Sequence, residues 1–264
     1  MNDRRFYEEQ YLGDSYSAGI SDRAESEKLE GFINSFRLQN KRVLEVGCGR
    51  GAFQGLVNNW IGLDISSSVR RYIRKPFVVG SAQDLPFKDE SFDALWSITV
   101  LEHIPKPETV LEEISRILRP GGVAYLAPAW HCRSWAANGY HIRSWSDLNW
   151  KEKIIKASIP ARDALWFRAA CTLPVRVWRE WLYFKNKARH TPFRYRELTP
   201  NYDTYWCSDA DACNAMDPHE MLLWFRSRGW TSSSHPTWES QMSIRHGGIV
   251  ICKPGQAHRT AIQR

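Results

Sequence analysis

Apolar and polar positions keep two rhythms along this chain, and the rhythm changes near residue 129. Before that point, short apolar runs alternate with stretches of helical period, as in a parallel sheet with crossover helices. Residues 41–46 (KRVLEV) read as a buried strand, 52–58 as a short helix and 60–64 (WIGLD) as a second strand. A third strand covers 76–79, a fourth 92–98 (FDALWSI), and a fifth 123–127, introduced by the turn Pro120-Gly121-Gly122. Between the last two, residues 107–118 place Val110, Leu111, Ile114 and Leu118 on one helical stripe, with Glu112, Glu113 and Arg116 facing away. This is a doubly wound α/β pattern.

From 129 to 216 the alternation stops, and eight of the thirteen tryptophans appear among basic residues, which marks an insertion or cap. The sheet pattern resumes at 217–228, where Asp217-Pro218 fits an N-cap followed by proline and Gly229 fits a helix stop. Strand-like stretches at 230–238 and 243–252 form an expected closing pair. The organisation is therefore an aromatic, helical lid segment at 1–40, a ligand-binding core at 41–128 and an acceptor-side insertion at 129–216. Core elements return at 217–253, and a frayed tail covers 254–264.

Composition narrows the class. At 264 residues and 43% apolar, the chain can bury a full core as one elaborated domain. The charged start MNDRRFYEEQ lacks an apolar targeting core, and no run of eighteen apolar residues follows, so the expected location is the cytoplasm. Six cysteines without a C-x-x-C pair read as buried free thiols, neither a disulfide framework nor a zinc ribbon. The net charge of +7 is concentrated: residues 151–200 hold twelve lysines and arginines against four acids.

The chemistry begins where the first strand ends. VLEVGCGRG places Gly47, Gly49 and Gly51 in a tight turn at the carboxyl edge of the sheet, where glycine takes positive φ and lets backbone approach a ligand. Alone, this turn does not separate a pyrophosphate site from other nucleotide-like sites. Asp64 closes the second strand, where a carboxylate can accept both hydroxyls of a ribose. The loop GSAQDLPF (80–87) follows the third strand with a polar side chain and an apolar wall for an adenine ring. A dinucleotide site would want its third glycine one residue later, facing pyrophosphate, whereas Glu45 and Asp64 favour a cation-bearing ligand.

In order, VLEVGCGRG, LDIS, GSAQDLPF, SFDALWSITVLEHI and ILRPGGVAYLAP resemble the successive motifs of class I S-adenosylmethionine-dependent methyltransferases, in particular the small-molecule subgroup called type 11. The resemblance is strong over 43–128 and weak over the C-terminal strands. It implies a Rossmann-like, seven-stranded, mostly parallel sheet with an antiparallel closing strand, and S-adenosyl-L-methionine as cofactor. It also implies that Glu45, Gly47, Cys48, Gly49 and Gly51 hold the methionine part, and Asp64 with Ile65 the ribose. Ala82, Gln83, Asp84 and Leu85 would frame the adenine, while Ser97 and Ile98 would floor the site. Two intervals, 51–64 and 64–80, are shorter than the family's usual ones, so the first helices must be trimmed.

Methyl transfer is an in-line displacement that gains most from alignment and exclusion of water, with a base needed when the acceptor is a hydroxyl. His103, in Leu101-Glu102-His103-Ile104-Pro105 just past the fourth strand, is the expected base. Some quinone-pathway relatives bind a metal through two glutamates and this histidine. Here Thr99 replaces the first glutamate, so Glu102 and His103 form an incomplete set and no metal is expected. His131 and His141 read as structural, and Phe6, Tyr7, Tyr11 and Tyr16 as a lid over the methionine end or as plain packing.

For the acceptor, residues 164–189 mix aromatics with Arg and Lys like an interfacial helix that Pro174 should break or kink. Its basic residues could meet an anionic membrane at the inner face, or simply be solvated over a cap. Asp203, Asp209 and Asp211 amid aromatics suit a sugar, and the arrangement resembles methyltransferases of bacterial surface-polysaccharide pathways, whose sugars ride on nucleotide or lipid phosphates. The fourth strand ends in SITV rather than Asn/Asp-Pro-Pro-Tyr, which argues against methylation of nucleic-acid bases. The expectation is O-methylation of a sugar or similar small acceptor. Quinone-like, natural-product or RNA acceptors remain as alternatives, as does a non-catalytic Rossmann-like protein that binds a membrane or partner through its basic arm.

Overall fold

The computed structural model describes residues 3–12, 23–186, 190–202 and 210–255. Two helices, α1 (Asp3–Leu12) and α2 (Arg23–Ser35), precede the strands β1 (Arg42–Val46), β2 (Asn59–Asp64), β3 (Phe77–Val79) and β4 (Phe92–Ile98). Then come α3 (Pro107–Ile117), β5 (Leu118–Ala127), the helices α4 (Trp150–Asp163) and α5 (Leu165–Lys185), and a two-stranded ribbon of β6 (Tyr195–Glu197) and β7 (Asn214–Met216). The chain closes with α6 (Pro218–Arg226), β8 (Thr231–Ser232), α7 (Trp238–Ser243) and β9 (Ile249–Cys252).

Seven strands form one sheet in the order β3-β2-β1-β4-β5-β9-β8, parallel throughout except β9, which is antiparallel to both β5 and β8. Side chains alternate across it, so each strand feeds two cores. Leu44, Val46, Leu95 and Leu126 join Val110, Leu111 and Ile114 of α3 and most of α6 on one face. Val43, Trp60, Ala94, Trp96 and Tyr125 meet Phe32 and Ile33 of α2 on the other. The sheet is a Rossmann-like doubly wound sheet, and its order reverses between β1 and β4, the position where such folds bind ligands.

Several sequence expectations need correction. Residues 52–58 form turns, not a helix, because Gly51 precedes and Gly55 interrupts a segment too short to propagate one. Gln54 holds this segment by bonding Tyr72 O and Arg74 N. The Pro120-Gly121-Gly122 turn is absorbed into β5 as an irregularity in its register with β4. Of 230–238 only Thr231–Ser232 is strand, and Thr237 caps α7 where strand was expected to continue. Cys171 is exposed, unlike Cys48, Cys132 and Cys213. The expected frayed tail lies almost wholly outside the described residues.

The largest departure is α5. It runs unbroken through Pro174, whose missing donor frees the carbonyl of exposed Ala170, and of its basic residues only Lys185 is exposed. Arg176 and Arg179 are 4% and 5% exposed, and Glu180 is equally buried. Arg176 grips Asp217, the N-cap of α6, through Nε and Nη2 at 3.1 and 2.6 Å. Arg179 makes a two-pronged pair with Glu220 at 2.7 Å on each oxygen. Glu180 faces His219 Nε2 at 2.8 Å and accepts from Arg226 Nη2 on both oxygens. The charged stripe faces the domain, so the apolar side chains face out.

Candidate active site

The three glycines of the first turn all take left-handed backbone: Gly47 at φ +72°, Gly49 at +49° and Gly51 at +71°. A Cβ on Gly47 would stand 2.2 Å from Val100 Cγ2, so this position admits no other residue without displacement. Thr99, at the exit of β4, is also left-handed at φ +51° despite its branched side chain. The turn is anchored from below, where Gly47 N and Cys48 N both donate to Leu63 O.

Asp64 sits at the carboxyl end of β2 and is 4% exposed. Gly49 N donates to its Oδ2 at 2.8 Å and Ser66 N to its Oδ1 at 3.0 Å, so the glycine turn and the second strand are locked together by one carboxylate. Burial raises its pKa above the usual carboxylate range, against the lowering effect of these backbone donors. Ile65 follows it, half-buried.

Glu45 behaves differently from the expected cation partner. Its side chain is buried between indoles, accepting from Trp60 Nε1 at 2.7 Å. Burial pushes its pKa up to about 8, against the hydrogen bond from Trp60 and the nearby Trp96 indole, and assisted by Asp64. Near neutral pH it is mostly a neutral acid, and the negative charge assigned to it by sequence reasoning is largely suppressed.

On the third side, Ala82 and Leu85 are buried, Gln83 is half-buried with Nε2 reaching Lys106 O, and Asp84 is exposed. This loop is held by α3: Glu113 accepts Leu85 N at 2.7 Å, while Arg116 donates to Leu85 O and Phe87 O. Glu113 and Arg116, read from the helical stripe as solvated, are thus structural supports. At the floor, Ser97 is 1% exposed and its Oγ meets no hydrogen-bond partner, with half-buried Ile98 beside it. An orphaned hydroxyl, a glycine cradle closed to any Cβ and a carboxylate at the ribose position fit a nucleoside cofactor without phosphate.

His103 ends a 3-10 turn (Leu101–His103) that Asn214 of β7 pins by donating to Leu101 O and Ile104 O. Its Nδ1 lies 3.3 Å from Asp211 Oδ2 and its Nε2 3.7 Å from Glu102 Oε1. Asp211 is 3% exposed and accepts from the Tyr7 hydroxyl of α1 at 3.0 Å. Asp211 is therefore enclosed beside the imidazole and does not stand as an open sugar ligand; Asp203 and Asp209 lie outside the described residues. Glu102 is structural, accepting Ala129 N at 3.0 Å and fixing the exit of β5. Sequence reasoning missed the Tyr7–Asp211–His103 and Asn214 contacts, since they join positions about a hundred or more residues apart with no local signal.

At the other end, Glu8 of α1 accepts Ser67 N and Ser67 Oγ at 3.0 and 2.9 Å, beside Asp64. The same helix thus reaches both the Asp64 end of the site and Asp211 beside the histidine. Phe6 is fully buried, whereas Tyr16 and the side chain of Tyr11 lie outside the described residues.

One strand over, the segment after β5 borders a cavity of about 700 Å³ lined by His131, Arg133, His141, Arg168, Arg245 and His246, among others. Asp163 is its acid, and it pairs with Arg133 at 3.0 Å. Burial holds the His131 pKa below the usual imidazole value, and Arg168, Arg176 and Arg133 add to this while Asp217 opposes it. His131 also takes a left-handed φ of +60°. Both histidines read as structural thus line a strongly basic cavity.

The family model described as "Methyltransferase domain" matches residues 44–126. A fatty-acid O-methyltransferase of Mycolicibacterium smegmatis is 30% identical over 189 residues, covering 64% of this chain and 68% of that protein. A probable phthiotriol/phenolphthiotriol dimycocerosates methyltransferase 2 of Mycobacterium ulcerans is 34% identical over 116 residues, or 38% of this chain and 45% of the relative. Among solved structures, S-adenosylmethionine-bound CalS10, an amino pentose methyltransferase from Micromonospora echinaspora, is 22% identical with a TM-score of 0.36, covering 46% of this chain and 54% of that one. By the family match over 44–126 and the fatty-acid O-methyltransferase relative, the chain belongs to the class I S-adenosylmethionine-dependent methyltransferases.

Proposed function

We propose that this chain methylates an oxygen of a small acceptor, a sugar or similar polar group carried on a nucleotide or lipid phosphate. The observation that carries the reading is the basic cavity at the β5 exit, whose Arg133, Arg168 and Arg245 suit an anionic group. The name of the fatty-acid O-methyltransferase relative supports transfer to oxygen. S-adenosylmethionine, when bound, supplies an electrophilic methyl group.

In this reading Asp64 and Ile65 hold the ribose, and Glu45, Gly47, Cys48, Gly49 and Gly51 the methionine part. Ala82, Gln83, Asp84 and Leu85 frame the adenine above the floor of Ser97 and Ile98. Asp211 faces Nδ1 of His103 at 3.3 Å without a formed hydrogen bond and would orient the ring as the imidazolium forms, which leaves Nε2 to take the acceptor's hydroxyl proton as the oxygen attacks. Tyr7 in turn holds Asp211, and α1 excludes water from the mouth. Arg168 and Arg245 hold the acceptor's anionic group, fixing its hydroxyl for in-line attack.

The test has two stages. Calorimetric titration with S-adenosylmethionine should show binding that Asp64→Ala abolishes; absence of binding in the parent chain sinks the reading. Release of S-adenosylhomocysteine is then followed with panels of fatty acids, sugar nucleotides and lipid-linked sugars. On whichever acceptor turns over, His103→Ala should lower kcat roughly a hundredfold with cofactor affinity intact. An unchanged kcat removes His103 from the chemistry.

A further inference from the structure

Every exposed position of α5 except Lys185 is apolar or uncharged: Leu165, Trp166 and Phe167 at its start, Leu173, Val177, Trp178, Trp181 and Phe184 along the rest. Trp166, Val177, Trp178 and Phe184 are each more than half exposed, and Trp178 stacks on Trp181 at 4.8 Å. Positions 166, 170, 173, 177, 181 and 184 recur every three or four residues, a single stripe about 27 Å long at 1.5 Å per residue. Trp150 and Ile154 of α4 add further exposed apolar side chains at 67% and 61%. A half-exposed aromatic leaves about 100 Å² open, so these side chains present on the order of 800 Å². A monomer's largest apolar patch is roughly 300–600 Å². The helix cannot turn this face inward, because Arg176, Arg179 and Glu180 are fastened to Asp217, Glu220, His219 and Arg226.

We infer that the outward face of α4 and α5 seats this protein on an anionic lipid bilayer, lying in the interface plane. This rests on the function proposed above and deepens it, because it makes the acceptor a membrane-resident amphiphile. The charges decide between a bilayer and a second copy of the chain. All exposed charges on the two helices are positive: Lys151, Lys153, Arg162 and Lys185; their acids Glu152, Asp163 and Glu180 are turned away or buried. A symmetric pairing of two such faces would confront like charges, whereas anionic headgroups complement them. Lys151 and Lys185 lie over the rings of Trp150 and Trp181 at 5.4 and 4.9 Å, the pairing of an aromatic body with a cation that suits headgroup depth. No helix among the described residues is long and apolar enough to cross a membrane. The basic cavity shares Leu165 and Arg168 with a second cavity of about 470 Å³ that also reaches Trp166 and Leu173. An amphiphile drawn from the bilayer thus meets apolar wall first and arginine after.

The test is co-sedimentation of the full chain with phosphatidylcholine vesicles, with and without phosphatidylglycerol. The parent should pellet with the anionic vesicles. The double variant Trp178→Ser/Trp181→Ser should lose roughly tenfold or more in partitioning, and Lys151→Ser/Lys153→Ser should bind more weakly with a shallower dependence on salt. Titration with S-adenosylmethionine on the same samples separates the two readings: both variants should bind cofactor like the parent. Retained cofactor affinity with parental pelleting in Trp178→Ser/Trp181→Ser overturns the docking surface and leaves the function standing. A parent that ignores vesicles, or a vesicle-free dimer that this double variant dissolves, overturns it as well. Vesicle binding in a chain that ignores the cofactor supports the docking surface and removes the function.

Discussion

Replacing Glu45 by Gln tests whether a carboxyl group is held as a neutral acid inside the sheet. The folded pKa of about 8 stands against 4.5 for the free group, because the side chain is buried between Trp60 and Trp96. A group whose folded pKa is raised contributes stability that is complete below the unfolded pKa and is lost as pH rises through the folded one. At 1.36 kcal/mol per pKa unit, the loss has a ceiling near 3 kcal/mol at about pH 7 and near 5 kcal/mol above about pH 8. Gln keeps an oxygen for the Trp60 donor and has no proton to lose, but brings an amide N–H₂ into the same enclosure, a penalty of about 1–3 kcal/mol if unpaired. The variant should therefore be equal to or slightly less stable than the parent at about pH 5, and more stable by a few kcal/mol at about pH 9. Urea midpoints measured at several pH values on both proteins give the difference directly, since other titrating groups cancel between them. A stability difference that stays constant from pH 5 to 9 would refute the argument, because a carboxylate already ionised in the fold produces no such crossover.

Gly47→Ala should lower stability by about 2 kcal/mol and abolish cofactor binding, from its φ of +72° and the 2.2 Å approach to Val100. Adding Val100→Ala should restore the steric part only, which calorimetry and urea unfolding together would show. Arg179→Met leaves Glu220 buried without its two-pronged partner and should destabilise the chain by about 3–5 kcal/mol. The double variant Arg179→Met/Glu220→Leu should recover most of that loss in the same unfolding assay.

The sheet was legible because its strands carry their own pattern: the runs ending at Val46, Asp64 and Ile98 are apolar and bounded by turn residues, and each became a strand. The glycine turn announced its backbone for the same reason, since only glycine takes those dihedrals readily. Arg176 and Arg179 misled because periodicity reports which residues share a face and says nothing of which way that face points. The usual rule that charges face water fails here, where acids of α6 supply partners forty-one residues away. Glu45 misled similarly: its identity is plain in the sequence, but the enclosure that raises its pKa is built with Trp60 of the next strand, whose indole donor itself works against the rise. His103 stands just past β4 as its motif implies, whereas Asp211 beside it and Asn214, which pins its loop, arrive from beyond the insertion.

The contacts of α1 bear on the order of events in a turnover. Tyr7 and Glu8 are consecutive residues, yet one holds Asp211 beside His103 and the other holds Ser67 near Asp64. A displacement of this helix that uncovers the mouth must withdraw both contacts together. In the proposed function, where His103 is the base and α1 covers the cofactor, exchange of spent for fresh cofactor and release of Asp211 from beside the histidine would be a single event. In that reading the coupling would keep His103 from taking protons while the site is open to water.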